Sequence, residues 1–189
     1  MTKRPRQLTG LEFALFDTPI GRCGVVWGPS GLTLLQLPEG RVSATRARIQ
    51  ERSGGAREAV PPAFVQHAIE QIGLLLAGDA SDFSRLDLDL DRVPPFHRRV
   101  YEAARSIAPG STLSYGELAA RLGSPGSARA VGQALGRNPF PIVVPCHRVF
   151  AAGGKVGGFT ANGGITTKLR LLSLEAPRFG YSAQEKREQ

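Results

Sequence analysis

Only two cysteines and three histidines occur in the chain, and one of each stands side by side near the end of "PFPIVVPCHRVF", residues 139–150. Cys146 beside His147 offers a nucleophile next to a proton acceptor. An ordinary thiol, with a pKa near ~8.5, is only a few per cent thiolate at neutral pH, and nearby cations or a helix N-terminus raise that fraction. A metal centre is the competing chemistry, but a zinc site needs about four ligands. Cys146, His147 and the distant Cys23, His67 and His97 have no ligand spacing, so no metal is expected. Cys23, within apolar "CGVVW", reads as a small buried hydrophobe. Asp87, Asp89 and Asp91 alternate with Leu86, Leu88 and Leu90. That alternation predicts the solvated face of a half-buried strand rather than a metal cluster.

A second chemical signal is a helix face. In "SPGSARAVGQALGRN", Val131, Ala134 and Leu135 form an apolar stripe, while Arg129, Gly132, Gln133 and Gly136 lie opposite it. Glycine inside a helix costs about 1 kcal/mol relative to alanine. Two glycines beside an arginine suit close approach by another body; alternatively, Gly136 begins the C-terminal cap and Gly132 packs against a neighbour. Ser124 is expected as the cap of this helix, with Pro125 in its first turn. The preceding "SYGELAARLG" has Ser114 and Glu117 in capping-box register. Two short helices joined by a tight turn make a helix-turn-helix candidate.

The elements that position these residues follow from pattern. "CGVVW" and "LTLLQL" flank Gly28-Pro29-Ser30-Gly31 as a hairpin, and "RVSATRARIQERSGGA" is a surface helix or loop. Val65, Ile69, Ile72 and Leu76 fall at helical spacing, closed by Gly78. "PIVVP" reads as a buried strand. Phe96, Val100, Ala103 and Ile107 mark another helix after Pro94-Pro95, which divides residues 1–92 from 93–175. Residues 176–189 lack an apolar stripe and are expected to be mobile.

Charge divides at the same place. Residues 1–92 carry 11 Lys/Arg and 11 Asp/Glu; residues 93–189 carry 13 and 5, the whole net +8. A basic half suits a polyanion, although charge alone fits a merely soluble basic surface equally well. No apolar run approaches the ~20 residues of a membrane span. The N-terminus lacks a signal-peptide pattern, so a cytoplasmic protein with reduced thiols is expected.

"NPFPIVVPCHRV" resembles the active-site signature of the O6-alkylguanine-DNA alkyltransferases. "TLSYGELAARLG", "SARAVGQALGRNP" and "KLRLLSLE" resemble further segments of that family in the same order, and "FDTPIG" and "SGLTLLQL" resemble its N-terminal domain. The resemblance implies an α/β fold: a ribonuclease-H-like N-terminal domain followed by a mainly helical domain with the helix-turn-helix. The activity implied is direct-reversal DNA repair, in which an alkyl group passes from O6-alkylguanine to the protein's own cysteine, once per molecule and without a cofactor. The implied partner is alkylated double-stranded DNA, bound in the minor groove by a monomer; O4-alkylthymine repair and cooperative binding stay open.

The resemblance also implies roles. Cys146 matches the acceptor thiolate, His147 the residue that takes its proton through a water, and Glu175 the carboxylate that orients the histidine. Asn138 matches the brace of the active-site turn. Tyr115 matches the tyrosine that helps extrude the nucleotide and protonates the departing guanine. Arg129 matches the arginine that fills the vacated stack, as extrusion of a duplex base requires. Ser127, Ala128 and Gly132 match small groove-facing positions. Val149 and Lys168 match residues at or near the alkyl pocket, and Phe159 and Thr160 match its border, within a loop, residues 157–164, that is about two residues longer than in some members. Two other readings compete: a binding module, which marks damaged DNA without repairing it or acts as a helix-turn-helix regulator, and a cysteine hydrolase. The presence of Cys146 opposes the first, and the basic half and Arg129 have no purpose in the second.

Overall fold

The computed structural model describes residues 10–79 and 81–179. Its N-terminal part is a meander of β1 (Glu12–Thr18), β2 (Gly21–Gly28) and β3 (Gly31–Gln36), with the predicted hairpin joining the last two. β1 and β2 pair antiparallel from Glu12 opposite Trp27 to Thr18 opposite Gly21, and β2–β3 carries an irregularity at Val26/Trp27. A fourth strand, β4 (Arg57–Glu58), lies parallel to β1 and gives the order β3-β2-β1-β4. Two residues leave no alternation to read, so the sequence does not reveal it.

Both faces of this sheet are covered. α1 (Val42–Ser53) places Ile49 on Phe13, Val26 and Leu34, while α2 (Ala63–Leu76) places Val65, Ile72 and Leu75 in the main core with Val25, Trp27 and Leu35. The Leu86–Leu90 segment is not the expected strand. It makes one bridge, Leu32 with Leu88, through Leu32 N–H to Asp87 (2.9 Å) and Asp89 N–H to Leu32 (2.7 Å). The Asp87 carbonyl comes so close to Gly31, at φ +119°, that any Cβ there would lie 2.4 Å from it. Leu86 is still buried and Asp87 exposed, so the alternation marked burial correctly and pairing incorrectly.

The second part is helical: α3 (Pro95–Arg105), α4 (Tyr115–Arg121), α5 (Ala128–Gly136) and α6 (Gly164–Phe179). Val100 and Ala104 from α3, Leu118 from α4, Val131 and Leu135 from α5 and Leu171 from α6 join the core that also takes α2. Ser114 caps α4 as expected. Its hydroxyl accepts from Glu117 N–H (3.1 Å), and its own N–H donates to the Glu117 carboxylate (2.6 Å), a device worth about 1 kcal/mol. Ser124 does not cap α5. Pro125-Gly126 instead makes a turn, with Gly126 at φ +93° and Ser127 N–H bonded back to Ser124 (3.1 Å). Proline then glycine suits a turn that needs positive φ at its second central residue, so the helix starts three residues later. α6 runs four residues past Glu175, into the segment expected to be mobile; residues 180–189 lie outside the described residues.

Two short strands tie the parts of the candidate site together. β5 (Leu113–Ser114) pairs parallel with β6 (Val149–Phe150). The start of α4, where Tyr115 stands, is therefore fixed to the segment that leaves Cys146-His147-Arg148.

Candidate active site

"PFPIVVP" is a tight turn, not a strand. Pro139, Pro141 and Pro145 remove three backbone donors, so no ladder could form there. Val144 N–H instead reaches Phe140 (2.8 Å), and Ile142 adopts φ +76°, the one non-glycine residue with positive φ among the described residues. A β-branched residue in that region is strained at a cost of order 1–3 kcal/mol. Ile142, Val143 and Val144 are all buried, and that packing holds the turn in shape.

The turn delivers Cys146, His147 and Arg148 as a single 3-10 turn, all three buried. Asn138 spans it: Nδ2 donates to the Val144 carbonyl (2.9 Å) and to Cys146 Sγ (3.4 Å), while Oδ1 accepts from Phe140 N–H (2.9 Å). Burial pushes the Cys146 thiol pKa up; the Asn138 amide and then the Lys168 ammonium pull against it. Lys168 is itself buried and donates to the carbonyls of Val149 and Val156, both at 2.5 Å. Desolvation brings its pKa down to about 8, with the Cys146 charge opposing.

Behind the cysteine, His147 Nε2 lies 2.7 Å from Glu175 Oε1. Burial lowers the imidazole pKa against the pull of Glu175, so the ring is neutral. Burial alone would raise the Glu175 pKa, but hydrogen bonds from His147 and Arg148 outweigh it and bring the carboxyl to about 2. A neutral ring beside a carboxylate carries its proton on Nε2, which leaves Nδ1 as an acceptor. Nδ1 is buried and makes no hydrogen bond within the described residues.

Sequence reasoning missed Arg148. Its guanidinium grips Glu175 through Nε (3.0 Å) and one terminal nitrogen (2.8 Å), and through the other it donates to Ile107 O (2.5 Å). One side chain therefore neutralises the carboxylate and ties α6, the cysteine turn and the end of α3 together. An arginine directly after the Cys-His pair, in a segment that otherwise reads as buried, was the available signal.

Cys146 lies 9% exposed in the floor of a cleft of about 680 Å³. Tyr115, Ala128, Arg129, Gly132, Asn138, Phe159 and Thr160 also line it. His147 and Glu175 are buried behind the floor, with Lys168 also in the interior. Val149, three residues after Cys146, is fully buried, and Ser127 sits at the α5 cap with its hydroxyl on Ser124 O (2.7 Å). A Cβ at Gly132 would meet the Tyr115 ring at 3.8 Å, and the Gly136 carbonyl accepts from Thr160 (3.0 Å). Both glycines also line the cleft, so these contacts leave both readings of the helix face open. Burial, then the nearby Cys146 charge, raises the Tyr115 pKa, which keeps its hydroxyl a donor.

Comparison with known proteins identifies the family. A family model for the 6-O-methylguanine DNA methyltransferase DNA-binding domain matches residues 95–177. A methylated-DNA–protein-cysteine methyltransferase of Mycolicibacterium paratuberculosis is 41% identical over 165 residues, which is 87% of this chain and 92% of that protein. One from Methanothermobacter thermautotrophicus is 40% identical over 157 residues, 83% and 81% of the two chains. The crystal structure of Mycobacterium tuberculosis OGT in complex with DNA superposes with a TM-score of 0.71 at 39% identity, covering 88% of this chain and 94% of that one. Likeness of this extent, along both the sheet and the helical part, makes the chain a member of the methylated-DNA–protein-cysteine methyltransferase family.

Proposed function

We propose that the protein repairs DNA by direct reversal, moving the alkyl group of O6-alkylguanine onto its own Cys146. The observation that carries this is a sulfur in a cleft floor, bonded by Asn138 and backed by the buried His147–Glu175 pair.

His147 Nδ1 takes the thiol proton, through a water by analogy with the family, and Glu175 holds the imidazolium that results. The thiolate attacks the alkyl carbon; the S–C bond forms as the C–O6 bond breaks, and its electron pair stays on guanine. Tyr115 supplies the proton that the departing guanine needs. Lys168 and Asn138 stabilise the anionic sulfur before transfer. Nothing here can cleave the thioether, which lacks an electrophilic carbonyl, so each molecule acts once.

A base inside a duplex is beyond the reach of a sulfur in a cleft floor, so the nucleotide must be extruded. α4 and α5 act as a helix-turn-helix, with Ser127, Ala128 and Gly132 against the minor groove and Arg129 in the vacated stack. Phe159 and Thr160 border the alkyl group, with Val149 behind the pocket. The sheet with α1 and α2 is the ribonuclease-H-like unit, divided from the helical unit at Pro94-Pro95, and the protein works as a cytoplasmic monomer.

Incubation with a duplex bearing one O6-methylguanine, followed by intact-mass and peptide analysis, tests this. One methyl on Cys146 and then no more is expected. Turnover beyond one equivalent, or label on Cys23, whose buried thiol has a pKa pushed up to about 11, overturns it.

A further inference from the structure

The cleft has a second wall that the mechanism does not use. Besides Tyr115 and Arg129, the cleft is lined by Gln36, Glu39, Arg48 and Arg52, from the end of β3, the loop that follows it and α1. These residues belong to the half whose charges sum to zero, yet two of its cations line the cleft.

Their surroundings differ from those of ordinary surface arginines. One terminal nitrogen of Arg52 donates to Gln36 Oε1 (2.9 Å), and buried Gln36 is held in turn by donating to Leu37 O and to Glu39 Oε1, each at 2.9 Å. The Arg52 fork is thus positioned by a neutral amide, and among the described residues it makes no ion pair with a carboxylate. Burial, then the charge of Arg48, holds its pKa below the ordinary value. The Glu39 and Glu51 charges offset part of this effect, and both guanidinium groups line the same cleft. Among the described residues Arg48 pairs with Glu51 (2.6 Å), and both side chains are about half or more exposed, so that pair is weak and easily exchanged. Arg52 and Arg137 also border a second cleft, of about 340 Å³, with Arg92 and His97. The basic rim therefore continues away from the cysteine. Among the described residues Glu39 is the one carboxylate lining the cysteine cleft, and the Gln36 amide engages it.

An extruded nucleotide brings its own phosphates to the mouth of the cleft that receives its base. Arginine forks match phosphate oxygens bidentately. We propose that Arg48 and Arg52 hold the phosphate backbone of the damaged strand beside the extruded nucleotide, so that the N-terminal sheet unit shares in DNA binding with α5. This rests on the alkyl-transfer reading.

The test is duplex binding as a function of salt, using the full chain. Removing one arginine–phosphate pairing should flatten the slope of log affinity against log salt by about one. Arg48→Gln with Arg52→Gln should flatten it by about one to two and weaken binding about three- to tenfold at low salt. Arg57→Gln removes a charge that is paired with Glu12 and lines neither cleft; it should leave the slope as in the wild type. Arg52→Lys should restore most of the slope. If the double variant melts below the assay temperature, Arg48→Gln alone carries the test with a decrease near one. An unchanged slope in a folded variant, or an equal decrease in Arg57→Gln, overturns the inference while the wild type still takes its methyl. A wild type that takes no methyl overturns the parent reading and this one with it.

Discussion

The amide nitrogen of Asn138 stands 3.4 Å from the sulfur of Cys146 and 2.9 Å from the carbonyl of Val144, so one side chain holds both the turn and the thiol it presents. A donor to sulfur favours the thiolate, and its removal raises the thiol pKa. Asn138→Ala should slow single-turnover transfer at neutral pH by tenfold or more, with partial recovery as pH rises. A hydrogen bond to a charged group is worth about 1.5–3 kcal/mol, enough for that shift. The rate–pH profile checks it; a uniform loss at every pH would assign Asn138 to the fold alone.

Glu175→Gln should slow transfer by roughly 10²-fold, because the neutral amide cannot stabilise a protonated His147. Duplex binding should change little, since Glu175 lies 1% exposed behind the cleft floor. Rapid-quench kinetics alongside a binding isotherm separate the two. A variant that reacts at the wild-type rate removes Glu175 from the mechanism.

The same carboxylate makes stability depend on pH. Its folded pKa, about 2, lies below the usual carboxylate value near ~4.3. The unfolded chain therefore binds more protons between these limits. The contribution, a few kcal/mol, is complete above the unfolded value and fades as pH falls towards about 2. Urea midpoints measured from pH 5 to 2.5 should fall more steeply for the wild type than for Glu175→Gln. That variant should also be weaker at pH 7, where it leaves Arg148 buried without a counter-charge. Parallel curves would place the acid sensitivity elsewhere.

Arg129 and Cys146 lie on different elements and have separable tasks. Cys146→Ala should bind methylated duplex at near wild-type affinity and transfer nothing. Arg129→Ala should slow transfer from duplex by one or more powers of ten, because it loses compensation for unstacking. On free O6-benzylguanine, which needs no extrusion, it should keep the wild-type rate where the wild type reacts. Equal losses on both substrates would end the assignment of Arg129 to extrusion.

What the sequence disclosed was local chemistry. The Ser114–Glu117 cap, the Gly28–Gly31 hairpin and the apolar stripes of α2 and α5 each depend on neighbours within a few residues, and each stands where the pattern put it; α3 ends at Arg105, short of Ile107, and buries Val100, Tyr101 and Ala104 rather than Ala103. The errors arose where prolines or distant chain decided the outcome. Apolar "PIVV" looked like a strand because burial and pairing give the same hydrophobic signal, whereas the three flanking prolines forbid pairing. Ser124 looked like a cap until Gly126 took positive φ. In the site, Cys146 beside His147 stood out from the residues themselves, and the roles of the surrounding residues came from resemblance to a family. The Arg148–Glu175 grip did not, since nothing in a run of residues says that a guanidinium will turn inward to meet a carboxylate from another helix.

That grip also orders events in time. Synthesis proceeds from the N-terminus, so a nascent chain on the ribosome contains Cys146, His147 and Arg148 before Glu175 has been added. Until then the guanidinium has no carboxylate to accompany it into the interior, and burying it alone costs several kcal/mol. The turn can close over its cation only after α6 has emerged and docked. Reactivity is therefore acquired last, when α4 and α5 have already been made, and a chain that terminates early carries its thiol in an open, unarmed loop.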